Sequence, residues 1–185
     1  VMDLPQEAKD AYQSTYQTLS DAAPGLHLMV ATYFGELRDN LEIAVNLPVA
    51  GLHIDLVRGA EQLDAVIAKW PGKKALSLGV VDGRNIWRND LDASLQTVQH
   101  AMQKLGSEWI QVAPSCSLLH SPVDLTLETE LDDELKGWLA FATQKAHEIG
   151  LLAKAAREGR DGLAEAFNSN KAILASRSSS PRIHN

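Results

Sequence analysis

The feature that most constrains this chain is a rhythm of short apolar runs, each followed by a segment with helical periodicity. Residues 26–34 (LHLMVATYF), 51–57 (GLHIDLV), 75–81 (ALSLGVV) and 109–113 (WIQVA) are rich in strand formers and close on Gly, Arg-Gly, Asp-Gly and Pro-Ser. Around them, helical spacing runs over 5–21, where Ala8, Tyr12, Tyr16 and Leu19 recur on one face, and over 38–47, 61–69 and 90–105. After the last strand, Leu135, Trp138, Leu139, Ala142, Ala146 and Ile149 predict one long helix over 132–157, and a glycine break introduces another over 159–174. Strands and helices alternating at roughly 25 to 35 residues per unit predict βαβ crossovers and a parallel sheet. The fold class is therefore α/β, with either an open doubly wound sheet or about half of a (βα)8 barrel as the architecture. Neither G-x-G-x-x-G nor G-x-x-x-x-G-K-[ST] occurs, so nucleotide phosphate binding lacks its usual support.

At 185 residues and 45% apolar content, the chain is long and apolar enough to bury a core as one domain. A formal net charge of −7 without a Lys/Arg cluster argues against nucleic acid and anionic membrane as partners. One cysteine rules out an internal disulfide framework and fits a reducing, cytoplasmic setting. The opening Val1-Met2-Asp3-Leu4-Pro5 reads as a strand exit entering a helix, which predicts a segment of a longer polypeptide. Residues 176–185 (SRSSSPRIHN) read as a polar tail or linker.

Candidate chemistry gathers at the predicted strand ends, where α/β proteins place function. Cys116 and His120 offer a thiol and an imidazole, the elements of a nucleophile and its base; the bland alternative is a buried thiol and a hydrogen-bonded histidine. Asp55, on the same pleat face as His53, adds a third type of zinc ligand to that pair, though no C-x-x-C or H-x-x-x-H supports a metal site. Asp82-Gly83-Arg84-Asn85 is a tight turn in which Gly83 is expected at positive φ. Its Arg84 fork and Asn85 amide suit a carboxylate or amide; equally, Asp82 holds the turn, Arg84 pairs with an acid and Asn85 caps the next segment. The acidic run 128–134 suits a helix N-terminus, and Trp87 and Trp138 suit the core.

The segments GLHIDLVRG, GVVDGRNIWRNDL, PSCSLLHSPVDL and LDDELKGWLAFATQKAHE, with the closing SSPRIHN, resemble the amino-terminal, folate-associated domain of cobalamin-independent methionine synthase. The resemblance covers nearly the whole chain. It implies a protein of two duplicated (βα)8 barrels that moves a methyl group from methyltetrahydropteroyl-polyglutamate to homocysteine. In that family zinc lowers the homocysteine thiol pKa and presents the thiolate to the methyl donor. The resemblance places residues 1–175 as the last four strands and helices of the first barrel, and 176–185 as the start of the inter-barrel linker. The basic segment that helps hold the folate's glutamate tail would precede this chain, and the catalytic barrel would come after it.

The family's catalytic barrel carries His-x-Cys, Glu and Cys after successive strands; by analogy those places hold Thr32-Tyr33-Phe34, Asp55 and Cys116 here. Cys116 then reads as a vestigial ligand, and the expectation is no catalytic residue, no metal and no cofactor in this segment. Asp55, Asp82, Arg84, Asn85, Ser115, Ser117 and His120 are expected on the barrel's carboxyl face, supporting loops and the interface between barrels. The implied partners are the folate donor and homocysteine for the whole enzyme, and the missing half barrel and catalytic barrel for this segment. Unpaired strand edges predict self-association. The alternative is a binding module for a folate-like anion, or a structural half barrel.

Overall fold

The computed structural model describes residues 2–183. Four parallel strands, β1 (Met29–Ala31), β2 (Gly51–Asp55), β3 (Ala75–Val81) and β4 (Ile110–Pro114), lie side by side in chain order. The helices are α1 (Gln6–Ala22), α2 (Leu41–Asn46), α3 (Gln62–Ala68), α4 (Leu91–Leu105), α5 (Asp133–Trp138), α6 (Ala142–Glu158) and α7 (Ala164–Ser179). Successive right-handed crossovers in one direction keep the connecting helices on one face and leave no point at which the winding reverses. A doubly wound sheet needs that reversal. The order is instead the winding of a (βα)8 barrel over about half its circumference.

Alternation along each strand separates two environments. Leu52, Ile54, Leu76 and Leu78 belong to one buried cluster with Val45, Val66, Leu95, Val98 and Leu152 from the helices, and Ile110 and Val112 pack against it. The intervening positions His53, Asp55, Ser77 and Ser115 are buried and polar. Burying Leu52 or Leu76 alone contributes about 1.5–3 kcal/mol, so the apolar face fixes the register.

Several boundaries differ from the sequence expectation. The first strand shrinks from nine residues to Met29–Ala31, because it pairs only with β2 and Phe34 then turns into the left-handed region at φ 67. The expected helix over 132–157 is broken. Leu139–Phe141 is extended, with Ala140 N–H donating to Ile86 O and Arg88 N–H to Trp138 O, so backbone groups a helix would use internally bond the loop after β3. Asp132 caps α5 by accepting from Leu135 N–H, with Asp133 and Glu134 in the first turn, which places the acidic run as expected.

The last helix starts later and runs further than 159–174, continuing to Ser179 into the stretch expected to be tail. Its Ser176 hydroxyl accepts from the indole of buried Trp138, and Arg182 pairs with Asp132 and Glu134. His184 and Asn185, the end of the expected linker, lie outside the described residues. The face of α1 marked by Ala8, Tyr12, Tyr16 and Leu19 is not buried: α1 contains no buried residue, and Tyr12 and Leu19 are each 46% exposed. Among the described residues, no helix is long and apolar enough to cross a membrane.

Candidate functional site

Asp55 ends β2, and its side chain is fully buried. Oδ2 accepts from Phe34 N–H at 3.0 Å, and Oδ1 accepts from Val57 and Arg58 N–H at 2.9 and 3.0 Å. The carboxylate thus ties the exits of β1 and β2 together. One layer below, His53 places Nδ1 2.9 Å from Ser77 Oγ and Nε2 3.4 Å from Ser115 O, joining β2, β3 and the exit of β4. Burial, more than the opposing effects of Ser115 and Asp55, pushes the His53 pKa down.

The turn after β3 is tied to the segment after β4 by serine side chains bonded to its backbone. Gly83 N–H donates to Ser115 Oγ at 3.2 Å, and Ser121 Oγ donates to Gly83 O and Asn85 O. Gly83 does not adopt the expected positive φ. Its need is space: a Cβ would lie 2.8 Å from Cys116 O and 2.9 Å from Cys116 Sγ. Asp82 holds the turn, one of the two expected roles, accepting from Arg84 N–H and Asn85 Nδ2, and it also pairs with Arg58 at 3.3 Å. Asn85 Oδ1 accepts from Trp87 N–H, capping the segment that leads to α4.

Arg84 does not take the acid-paired role, one of the two expected for it. Among the described residues it forms no ion pair, and its guanidinium lies 4.6 Å over the Phe34 ring. His120 meets the same ring edge-on at 5.8 Å, and Tyr33 meets His53 at 5.6 Å. Phe34 and Tyr33, 44% and 38% exposed, enter the sequence reading only as positions matching the family's His-x-Cys, and their contacts with Arg84, His120 and His53 are not visible there. Ser117 accepts from Leu119 N–H and shapes the turn that carries His120.

The pairing of Cys116 with His120 is not formed. The thiol is buried, burial outweighs the opposing effect of Ser115 and pushes its pKa up, with Asp55 and Asp82 adding to the rise, and it donates to Ser117 O at 3.7 Å. A raised thiol pKa opposes nucleophile chemistry. Of the three zinc-ligand candidates, Asp55 commits its carboxylate to backbone N–H groups and His120 lies edge-on to Phe34. Among the described residues, no group of three or more His, Cys, Asp and Glu is arranged to hold a metal.

Behind the β3 turn, α6 supplies two buried charges that the sequence presents as ordinary helix positions. Lys145 Nζ donates to Asn85 Oδ1 at 3.1 Å and Trp87 O at 3.0 Å, and Glu148 Oε1 accepts from Asn89 N–H at 3.0 Å. Burial pushes Lys145 down and Glu148 up. Their three-residue spacing on one helix face is the one signal the sequence carries. Chemically, the carboxyl face is a set of loops bound to one another, with an exposed aromatic and cationic rim.

Comparison with known proteins matches residues 1–106 to the family described as "Cobalamin-independent synthase, N-terminal domain". The whole chain is 48% identical over 184 residues to the 5-methyltetrahydropteroyltriglutamate--homocysteine methyltransferase of Nitrobacter winogradskyi, covering 24% of it. It is 51% identical over 185 residues to the protein of the same name from Acidithiobacillus ferrooxidans, covering 23% of that chain. The chain thus spans about a quarter of the length of these relatives.

Proposed function

From the premise that this chain belongs to the cobalamin-independent methionine synthase family, we propose that it is a supporting segment of a methyltransferase making methionine from homocysteine. The methyl donor of the whole enzyme is 5-methyltetrahydropteroyl-polyglutamate. In this reading residues 1–175 are the later half of the folate-side barrel, and 176–185 begin the linker to the catalytic barrel. The enzyme's zinc and its ligands belong to that second barrel, and Cys116 is a vestige of a ligand position. The enzyme works in the cytoplasm, with neither nucleic acid nor membrane as a partner. The segment's own partners are the other half of its barrel and the catalytic barrel; alone, its strand edges favour self-association.

The observation that carries the reading is the match of the full chain, at about half identity, to relatives bearing that methyltransferase name. The side chains at the strand ends agree with a supporting role, because Asp55, Asp82, Asn85, Ser115 and Ser117 commit their polar atoms to neighbouring loops.

The test is to substitute this chain for the matching segment of the Acidithiobacillus protein and measure methyl transfer from 5-methyltetrahydropteroyltriglutamate to homocysteine. Transfer by the hybrid and none by the isolated chain is expected. A soluble hybrid without transfer overturns the reading, and saturable binding of the methylfolate by the isolated chain points to the stand-alone binding module. Stoichiometric zinc on the isolated chain, lost with Cys116→Ser, overturns the vestigial role of Cys116.

A further inference from the structure

The sheet ends in two free edges that can satisfy each other. Among the described residues β1 pairs only with β2, and β4 only with β3. Thr32 N–H donates to His53 O and Ser115 N–H to Val81 O. Backbone groups alternate sides along a parallel strand, so Met29 and Ala31 in β1 and Val112 in β4 aim theirs away from the sheet. Edges left in this way recruit another strand. Each is flanked by open apolar surface: Ile110, Val112, Val98, Met102, Ala153 and Ala156 beside β4, and Val30, Tyr12, Tyr16 and Ile43 beside β1.

α1 points to what covers those edges. In a barrel each connecting helix lies over the two strands that it joins. α1 leads into β1, which has no neighbour on that side among the described residues, and the helix holds no buried residue. α1 carries Glu7, Asp10 and Asp21 against the single Lys9, whereas exposed Lys104, Lys154 and Arg157 outnumber Glu108 and Glu158 around the groove beside β4. The surface that lacks a helix and the helix that lacks a surface are thus opposite in charge and belong to opposite edges of one chain.

We propose that the purified chain closes a barrel with a second copy of itself, β4 of each copy pairing in parallel with β1 of the other. The proposal rests on the half-barrel reading above. A two-fold axis along the barrel makes both seams at once and joins the two sets of four strands into a closed eight-stranded sheet with no edge left over. At each seam α1 of one copy settles against α4 and α6 of the other, its tyrosines on the apolar groove and its acids toward the basic rim. A lone strand from another source would cover one edge and leave α1 bare; a second copy supplies a strand and the helix before it, twice.

Sedimentation velocity across a dilution series, with amide exchange by NMR, tests this. One dimer that gives way only to monomer is expected, and the Met29, Ala31 and Val112 amides should exchange about tenfold or more slowly in it than in the monomer. Ala31→Pro removes a donor from the free edge, where proline is tolerated, and Ala153→Glu sets a like charge against α1; each should weaken the dimer by about tenfold or more with an unchanged circular dichroism spectrum. A folded chain that stays monomeric overturns the proposal, as does an open-ended ladder of oligomers or a dimer indifferent to both substitutions. Adding the rest of the amino-terminal domain of the Acidithiobacillus protein separates this proposal from the reading beneath it. Capture of that partner by a chain that does not pair with itself keeps the half barrel and overturns the dimer, and a chain that pairs with neither overturns both.

Discussion

Gly83 and Cys116 stand so close that the missing Cβ of the glycine would come within 2.8 Å of the cysteine carbonyl oxygen. The neighbour is backbone, anchored next door by Ser115 N–H donating to Val81 O at 2.7 Å, and cannot swing aside as a side chain could. Gly83→Ala should destabilise the fold by about 1–3 kcal/mol through overpacking. Urea denaturation checks this; an unchanged midpoint would show that the two turns can separate without loss.

Asp55 gathers three backbone N–H groups from the exits of β1 and β2. Asp55→Ala leaves those part-buried donors without their acceptor and should cost about 1–3 kcal/mol. Asp55→Asn keeps an acceptor oxygen and should cost less. Chemical denaturation of both variants gives the order, and amide exchange at Phe34 should quicken in the alanine variant.

His53 gives a pH dependence of definite sign. Its folded pKa lies below the ordinary 6.5 because burial disfavours the imidazolium. Above pH 6.5 both folded and unfolded chains hold it neutral. As pH falls below 6.5, the unfolded chain takes up a proton that the folded chain refuses, so stability declines until the folded pKa is passed. His53→Gln should flatten that part of the stability profile, and the imidazole resonances should titrate below 6.5 in the native chain.

Asp132 behaves in the opposite acid range. The Arg182 guanidinium, then Leu135 N–H, hold its pKa down to about 2 from 3.8. Its contribution is present above pH 3.8 and is lost as pH falls through about 2. Arg182→Ala should raise the carboxyl titration towards 3.8, read by carbon-13 NMR, and release Ser180–Ile183 from α5 without disturbing the sheet.

The alternation of strands and helices is legible in the sequence because periods of two and of about three and a half are local properties of the chain. β3 ends where the apolar run ends, and Asp90 caps α4 where the polar turn meets the periodic segment. The broken helix at Leu139–Phe141 is not legible. Its residues fit a helical pattern, and only the pairing of Trp87 with Leu139 and of Ala140 with Ile86 makes the extended form preferable. At Gly83 the turn's own residues point to a glycine, yet they suggest positive φ as the reason; the close approach to Cys116, which is the actual reason, is not visible in them.

The candidate site divides in the same way. Asp82, Asn85 and Ser117 make bonds within a few residues, and their turn roles follow from local chemistry. Arg84 against Phe34, and Lys145 beneath Asn85, join residues 50 and 60 positions apart. The sequence by itself determined the α/β class, the order of elements and the location of polar residues at strand ends, because propensity and periodicity act over neighbouring residues. Only the tertiary structure decided which of those residues are free and which are consumed. Burial strips polar atoms of their water, and for Asp55, His53 and Lys145 a compensating partner arrives from a distant part of the chain.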